Sequence, residues 1–565
     1  MPTSLKTTIK QGKVIMDKEK LYKSLLAKYC KQIVHMRQQY HITSSNLGIV
    51  LGAGASKDIG LPDWKELVKR IEQNDNIKDL DVKISENGDP IANAQLLFQA
   101  YKSHMIENCS EEDRAYNRVD MKIRAQWQRI VHTSLYEGVD SDIKSLVPEN
   151  HYLWSLIKII KKTPMTINYN FDDTIQRMLS ITRTTEETES SRGYTTLWSS
   201  NVYMFPKNSV VYHPNGFLPY RISEHPSERL VFLEDSFADQ LIDSIHGHYN
   251  VLTDYFTHNT CLLLGLSLND PTLKHILRTN ATNHPGIYHY YIKYVKSGES
   301  INNEKAIADA NFDVYNLVTL FLNSEEIAGL LELIEMDEDT FDKYVEEVGG
   351  LYKSYKYILV GSVAVGKSTA MSHFRSISTL DEWLEFMPED MAKDPSKVDE
   401  KKINDIDLWI ADQWGKKNYK LLRISNGAHI IDRGPLDAFA FTPKGQWQNK
   451  AQLTKKYISP GRSNRKLCPA QIIFLIGDPC TMASRAVLSQ KDTDAEKLKK
   501  QQKLIDYIYS KAPYGIVRID TRNKGKTQVA KEIAKIIFME AYEEAPLNQM
   551  LENILSGSTP EPEFL

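Results

Sequence analysis

Cysteine is scarce and scattered: Cys30, Cys109, Cys261, Cys468 and Cys480 are the only five, and no two of them form a CxxC pair. That spacing excludes a zinc ribbon, which needs its thiolates in close pairs, and it offers no disulfide framework, so a reducing compartment is the expected home. Long hydrophobic runs are also missing. No stretch of about 18 apolar residues occurs, and the opening MPTSLKTTIKQGKVIM has no apolar core behind its lysines. The sequence therefore predicts a cytoplasmic protein with neither a membrane span nor a secretory signal. Charge of one sign is absent too. A formal net charge of -3 supplies no basic field, and no DNA binding is predicted.

What is there describes a soluble globular protein, 41% hydrophobic and 25% charged. A chain of 565 residues is expected to divide into roughly two to four domains. Residues 1–45 carry Leu21, Leu25, Ala27, Ile33 and Met36 at helical spacing and read as an N-terminal helical extension. Leu47 to Leu51 then breaks into Gly52-Ala53-Gly54-Ala55-Ser56, and a helical pattern resumes at Trp64 and Leu67. Glycines at a strand-to-helix turn let a phosphate approach backbone N–H groups, although packing alone also demands such turns.

After a helical insertion over residues 68 to 160, strand-like runs follow at Met165 to Tyr169, Ser209 to Tyr212, Cys261 to Leu264, Ile287 to Tyr294 and Asp313 to Phe321, the last leading into the helix SEEIAGLLELIEM. Apolar strands alternating with helices predict an α/β fold, a doubly wound parallel sheet in three layers with its ligand at the carboxyl ends of the strands. The acidic stretch MDEDTFDKYVEEVGG marks a boundary. A second parallel-sheet unit begins with KYILVGSVAVGKSTAM and continues through AHIIDRGPLDAF, QIIFLIGDP and GIVRIDTRN. The expected domains are thus 46–336 and 354–545, joined by a linker at 337–353, with a flexible polar tail at 546–565.

The first unit carries four motifs in order: Gly52 to Ser56 followed by Gly60-Leu61-Pro62-Asp63-Trp64; Asn168-Tyr169-Asn170-Phe171-Asp172-Asp173; His213-Pro214-Asn215-Gly216-Phe217; and Gly265-Leu266-Ser267-Leu268-Asn269-Asp270-Pro271. Together they resemble the sirtuin superfamily over roughly residues 45 to 335. Two departures stand out: Asn168 replaces the threonine of T-x-N-x-D, and Asn215 stands directly before glycine where the family usually has histidine, with His213 two positions earlier.

The resemblance implies a sirtuin/Rossmann-like domain whose NAD-binding residues are Gly52, Ala53, Gly54, Ser56, Asp63, Trp64, Gly265 and Ser267. The N–H groups around Ala53 to Ser56 would take the pyrophosphate, Ser267 would lie near the adenosine phosphate and ribose, and Trp64 would wall the nicotinamide. Cleavage at ribose C1′ passes through an oxocarbenium-like state, so Asn170 and Asp172 are candidates to stabilise charge and orient the nucleophile, with His213 as general base. Plainer explanations exist: Asn170 as a helix cap, Asp172 and Asp173 as first-turn carboxylates, His213 and Trp64 as core residues. No zinc is expected, since the cysteines of a deacylating sirtuin's ribbon are absent. The helical insertion instead resembles that of sirtuin-like antiphage effectors, which hydrolyse NAD to ADP-ribose and nicotinamide with water in place of acyl-lysine.

In the second unit Gly361-Ser362-Val363-Ala364-Val365-Gly366-Lys367-Ser368-Thr369 is a complete G-x-x-x-x-G-K-S/T motif between a strand and a helical pattern. Its N–H groups would wrap the phosphates of ATP, Lys367 would reach the terminal ones and Ser368 would ligate magnesium. With Asp432-Arg433 at a strand end and Arg485 in GDPCTMASRAVLSQKD, residues 355 to 540 resemble P-loop nucleoside and nucleotide monophosphate kinases. The resemblance implies that Asp432 would hold magnesium or accept a proton from an acceptor hydroxyl, that Arg433 would hold the acceptor's phosphate or base, and that Arg485 belongs to a lid. A surface acid–arginine pair and a solvated helix arginine are the plainer explanations.

The combined expectation is an antiphage effector that destroys NAD under control of a P-loop unit sensing or phosphorylating a nucleotide or nucleoside, including a phage-derived or phage-altered one. A freely running NAD hydrolase would kill its host, and control of this kind suits a homo-oligomer. Three rivals stay open: a protein deacylase, a nucleotide kinase carrying an inert sirtuin-like regulatory domain, and a module that binds ADP-ribose or NAD without turnover.

Overall fold

The structure, a computed structural model, describes residues 4–41, 45–115, 118–182, 193–199, 208–221, 226–296, 301–392, 399–488 and 493–563. Two compact units divide the chain. The first comprises Met1–Leu25, Gln39–Asn283 and Tyr288–Phe341, and the second Leu26–Gln38, His284–Ile287 and Asp342–Leu565. The helix expected in the first 45 residues runs Ser4–Tyr40, and its Leu26–Gln38 stretch counts with the second unit rather than the first. Among the described residues no helix is long and apolar enough to cross a membrane.

Among the described residues the first unit is built on seven strands: β1 Leu47–Leu51, β2 Met165–Asn168, β3 Gly193–Leu197, β4 Asn208–Tyr212, β5 Thr260–Leu264, β6 His289–Tyr294 and β7 Leu317–Leu322. They lie in the order β3-β4-β2-β1-β5-β6-β7, with every pair parallel. β1, β2 and β5 are buried along their whole lengths, which is why they read as continuous apolar runs rather than alternating ones. Leu51 at the end of β1 sits level with Asn168 on one side and Leu264 on the other. The chain leaves β1 toward β2 and later returns on β1's other flank as β5. The carboxyl end of β1 is therefore the point where the winding changes direction and a crevice opens.

The expected helical insertion lies between β1 and β2. It includes Trp64–Glu72, Pro90–Glu107, Val119–Leu135 and Leu153–Lys162. Asp63 starts the first of these, its Oδ1 accepting from Glu66 N at 2.9 Å; Asp89 caps the second, with proline in its first turn.

Two strand readings need correction. Asp313 to Tyr315 close the helix Glu304–Tyr315, and β7 begins only at Leu317, because Asn316 takes the left-handed conformation (φ 54) that ends the helix. β3 was not among the expected strands. Its GYTTL has too few apolar residues to register as one, and it gains its place by edge pairing with β4.

The second unit holds β8 Ser354–Val360, β9 Ser378–Leu380, β10 Gly427–Asp432, β11 Gln471–Ile476 and β12 Ile516–Asp520. Their order is β12-β11-β8-β10-β9, again all parallel. The expected α/β class, two parallel sheets flanked by helices, describes the molecule. β8 is central, and Ile358, Val360, Ile431, Ile472 and Phe474 from three adjacent strands share one core with Trp447 and Tyr509.

The stretch expected as a linker at 337–353 contains the helix Glu338–Val348, whose first turn carries Glu338 and Asp339 where the helix dipole favours acids. The tail expected to be flexible is packed as far as residue 563. Leu547–Leu555 is a helix that buries Leu547, Met550, Leu551 and Ile554. Beyond it, Tyr507 Oη donates to Pro560 O at 3.0 Å, and Glu561 Oε1 accepts from Trp447 N at 2.9 Å. Spaced apolar residues and one capping carboxylate outweigh the polar, proline-bearing composition of the segment.

Candidate functional site

The first candidate site lies at the carboxyl ends of β1 and β2. Ala53, Ser56, Trp64, Asn170 and Asp172 line one cavity there, with Leu61, Leu67, Leu135, Tyr169 and Phe171 as its apolar walls. Asn170 and Asp172 are buried. Asn170 Nδ2 lies 3.5 Å from Ser56 Oγ, while its Oδ1 has no hydrogen-bond donor. Asn170 is therefore no helix cap. The N-cap of the helix Thr174–Ile181 is Asp173, and Asp172, one residue earlier, accepts from Thr174 N at 3.0 Å through Oδ1. Burial raises the Asp172 carboxyl above the usual carboxylate range, against the pull of the Thr174 hydroxyl and amide. Asp173 is pushed up to about 6, again mainly by burial; it accepts from Tyr220 N at 3.0 Å. Trp64 is half-buried, its ring centroid 5.4 to 5.9 Å from those of Phe171, Phe232 and Phe237, so it is at once a cavity wall and part of an aromatic cluster. The cavity measures about 20 Å³, room for roughly one water molecule. A nicotinamide ring needs this cleft to open.

The glycine turn has a structural purpose of its own. Gly54 N donates to Gly265 O at 2.9 Å, Ala55 N to Gly52 O at 2.9 Å and Ser56 N to Ala53 O at 3.3 Å. Three of the amides expected to take pyrophosphate are thus bonded within the protein. Gly265 (φ +72) sits so close that a Cβ on it would stand 2.2 Å from Ala55 N. The glycines of both turns let two backbones meet at the carboxyl ends of β1 and β5.

Other expected residues lie outside the cavity. Asp63 caps its helix and pairs with Lys57; burial raises its carboxyl, but the Lys57 pairing and the Glu66 amide outweigh that and hold it low. Ser267 is exposed. His213 is fully buried, with Nδ1 2.7 Å from Asn170 O and Nε2 2.7 Å from Gln176 Nε2. A carbonyl can only accept, so Nδ1 carries the proton and Nε2 accepts from the Gln176 amide. Burial pushes His213 down to about 4 despite the Asn170 carbonyl. His213, expected as a general base, is a neutral ring bonded at both nitrogens, one of them to the Asn170 carbonyl. Gln176, unmarked in the sequence, completes that lock from the helix Thr174–Ile181. Asn215, before the glycine, accepts from Gln240 Nε2 at 3.2 Å.

The second candidate site lies at the carboxyl ends of β8 and β10. One cavity of about 550 Å³ is lined by Gly366, Lys367, Ser368, Thr369, Arg433 and Arg485, joined by Thr521 and Lys524 from the loop after β12 and by Lys526 at the start of the helix that follows it. Lys367 Nζ donates to Gly361 O at 2.9 Å and Ser362 O at 3.0 Å. Burial first, then the nearby Arg433 charge, hold its ammonium well below the usual lysine range. A concave surface carrying five cationic side chains suits a polyphosphate. Ser368 Oγ donates to Asp432 Oδ2 at 2.7 Å, and the buried Asp432 Oδ1 has no donor. A hydroxyl beside an orphaned carboxylate oxygen fits a magnesium ion, a hard cation that takes oxygen ligands.

A second cavity of about 400 Å³ lies alongside, lined by Ser368, Met371, Ser372, Thr379, Asp381, Glu382, Trp383 and Asp432. Arg433, in the left-handed region at φ 62, has Nε 2.6 Å from Glu382 Oε1 and Nη1 3.8 Å from Asp437 Oδ2. Buried Lys417 donates to the carbonyls of Asp381, Glu382 and Asp432 at 2.8, 3.3 and 2.6 Å. Glu382, Lys417 and Asp437 carried no signal as members of a site, since only the fold brings them beside Asp432. The stretch Thr521 to Lys526, with three basic residues in six, did carry one.

Residues 164–315 match the model of a SIR2-like domain. The match takes in Asn170, Asp172, His213, Asn215, Gly265 and Ser267 but not the glycine turn after β1. No curated protein matches the chain. Among solved structures, the chain is similar to a deoxyadenosine kinase from M. mycoides described with the products dCMP and a flexible dCDP bound, at 17% identity and TM-score 0.25, over 32% of this chain and 95% of that one. It is also similar to NadR protein in complex with NAD and AMP-PNP, at 9% identity and TM-score 0.25, over 70% of this chain and 94% of that one. The chain therefore carries a SIR2-like domain in its first unit and a complete P-loop on a parallel sheet in its second.

Proposed function

We propose that the SIR2-like unit hydrolyses NAD+ to ADP-ribose and nicotinamide, and that the P-loop unit binds ATP with magnesium and either senses or phosphorylates a nucleoside or nucleotide signal. In this reading the bond from ribose C1′ to the nicotinamide nitrogen breaks, water adds its oxygen at C1′, and a proton is released. The observation that carries the reading is the buried, donorless Asn170 Oδ1 beside Asp172 in a cavity walled by Trp64. An amide oxygen there can hold a water's hydrogen and face developing positive charge at C1′. His213 acts as a positioning residue, holding the Asn170 backbone. Nucleotide binding rests on Lys367, Arg433, Arg485, Lys524 and Lys526 around one cavity. Magnesium, held by Ser368 and Asp432, would neutralise charge on the phosphates.

The closed cleft supports control: NAD turnover requires an opened form, and a ligand in the P-loop unit must favour that form by several kcal/mol to switch it fully. An antiphage effector, cytoplasmic and oligomeric, whose trigger is a phage-derived or phage-altered nucleotide, remains the biological setting we propose. A second reading draws on the locked, neutral His213: a nucleotide kinase whose SIR2-like unit is an inert regulator.

Incubating the purified chain with NAD, alone, with an acylated peptide, and with ATP plus nucleosides and nucleotides, separates the readings. Nicotinamide and ADP-ribose without peptide support hydrolysis. Nicotinamide only with peptide indicates a deacylase, and phosphorylated product with intact NAD indicates the inert regulator.

A further inference from the structure

We infer that Asn168 is a positioning residue for Asn170: its side chain, outside the first cavity, sets the direction in which the Asn170 carboxamide points into that cavity. The inference rests on the NAD-hydrolysing reading of the SIR2-like unit and specifies what prepares its cleft.

Asn168 ends β2, level with Leu51 at the end of β1. It is buried and is not among the residues lining the cavity, so it can act on a ligand there only through another residue. Its Oδ1 accepts from Asn170 N at 3.1 Å. On the other side of the same Cα, Asn170 O accepts from His213 Nδ1 at 2.7 Å. These two groups belong to the two planar peptides that meet at Asn170, so holding both fixes its φ and ψ together. The neighbouring residues are tied as well: Tyr169 N donates to Leu51 O at 2.9 Å, and Phe171 O accepts from Leu218 N at 2.7 Å.

The Asn170 side chain depends on that frame because it has little hold of its own. Its Nδ2 lies 3.5 Å from Ser56 Oγ, near the outer limit of hydrogen bonding, and its Oδ1 has no donor among the described residues. With so weak an anchor, the carboxamide points where the main chain aims it. Misplacing an orienting group by roughly 1 Å costs about 100-fold in rate.

Packing does not account for an asparagine at this place. Asn168 Nδ2 is buried without an acceptor among the described residues, a desolvation cost that leucine, of nearly the same size, would avoid. What leucine cannot supply is the acceptor for Asn170 N. Replacing Asn168 by leucine therefore removes one orphaned donor, Asn168 Nδ2, and creates another, Asn170 N. The two costs offset each other, so the fold should keep its stability while Asn170 loses its aim.

The test compares the full chain with Asn168→Leu and with Asn168→Thr, which keeps a hydroxyl able to accept the same bond more weakly. With NAD, magnesium, ATP and nucleosides present, Asn168→Leu should lower kcat for nicotinamide release about 100-fold. KM should stay within about twofold, the sign of an interaction needed only in the transition state. Asn168→Thr should recover part of the lost rate, and the urea midpoints should coincide. The side-chain amide NMR signals of Asn170, assigned by their disappearance in Asn170→Ala, should shift in Asn168→Leu and shift less in Asn168→Thr. Unchanged Asn170 signals overturn the inference, and so does an unchanged kcat. If the full chain releases no nicotinamide at all, the hydrolase reading fails, and the Asn170 signals alone decide whether Asn168 directs Asn170. Should Asn168→Leu not fold, Asn168→Thr carries the same comparison at smaller amplitude.

Discussion

Replacing Gly265 by alanine tests what the glycines after β1 and β5 are for. A Cβ at this position would lie 2.2 Å from Ala55 N, 2.7 Å from Gly52 O and 2.8 Å from Gly54 C. All three are backbone atoms, so no side chain can swing aside. Adopting φ +72 costs an alanine roughly 1 kcal/mol. Overpacking adds ~1–3 kcal/mol, and parting the loops far enough to relieve it breaks the bond from Gly54 N to Gly265 O, worth about 1 kcal/mol. The sum is about 4 kcal/mol. Gly60→Ala supplies the control, because Gly60 also has positive φ (+91) but nothing within 4 Å of its Cβ position, and should cost only ~1 kcal/mol. Hydrogen exchange of β1 and β5 peptides in the full chain reads the opening free energy locally. If Gly265→Ala loosens these strands no more than Gly60→Ala does, the close approach of the two turns is not what the glycines provide.

Other expectations follow from the same geometry. Lys417→Met leaves the carbonyls of Asp381 and Asp432 without their donor at 2.8 and 2.6 Å and should cost the second unit about 3 kcal/mol, read as a lower urea midpoint; an unchanged midpoint would show that water replaces the ammonium freely. His213, held near 4 against an ordinary 6.5, binds a proton more readily unfolded than folded. Its contribution is complete above the unfolded value and is lost as pH falls from 6.5 through 4, amounting to about 3 kcal/mol. His213→Gln should flatten the acid-unfolding curve of the first unit by that share, and an unaltered curve contradicts a buried neutral ring. Asp432→Asn should remove at least ~10-fold of the magnesium-dependent gain in AMP-PNP affinity, measured by calorimetry with and without EDTA, while magnesium-free binding stays within about twofold.

The strongest local signals proved to be those with a chemical reason confined to neighbouring residues. The P-loop is legible because its glycines, lysine and hydroxyl must be contiguous, and Asp432 because a strand end delivers it beside Ser368. The core strands were legible since burial on both faces leaves uninterrupted apolar runs. β9, with only Ser378–Leu380, and the edge strand β3 were not. Both owe their conformation to a neighbour rather than to their own residues. The same divide explains the sites. His213 was recognisable as a histidine near the first cleft, but its role turns on Gln176, a residue that looks like any helix glutamine. Lys417 sits in DQWGKKNYKLL, where a lysine reads as a solvated residue; only the fold wraps three carbonyls around it. The glycine turn after β1 stood between two explanations, and the approach of Gly265 supplies the structural one without removing the cleft next to it.

The central claim is that Asn170 serves NAD cleavage in a cleft whose opening the P-loop unit controls. Its most direct test is the rate of nicotinamide release from NAD by the full chain and by Asn170→Ala, each alone and with magnesium, ATP and nucleosides. The account predicts release by the full chain that rises in the presence of the P-loop ligands and vanishes in Asn170→Ala. Release that persists in Asn170→Ala, or no nicotinamide from the full chain under any of these conditions, would contradict it.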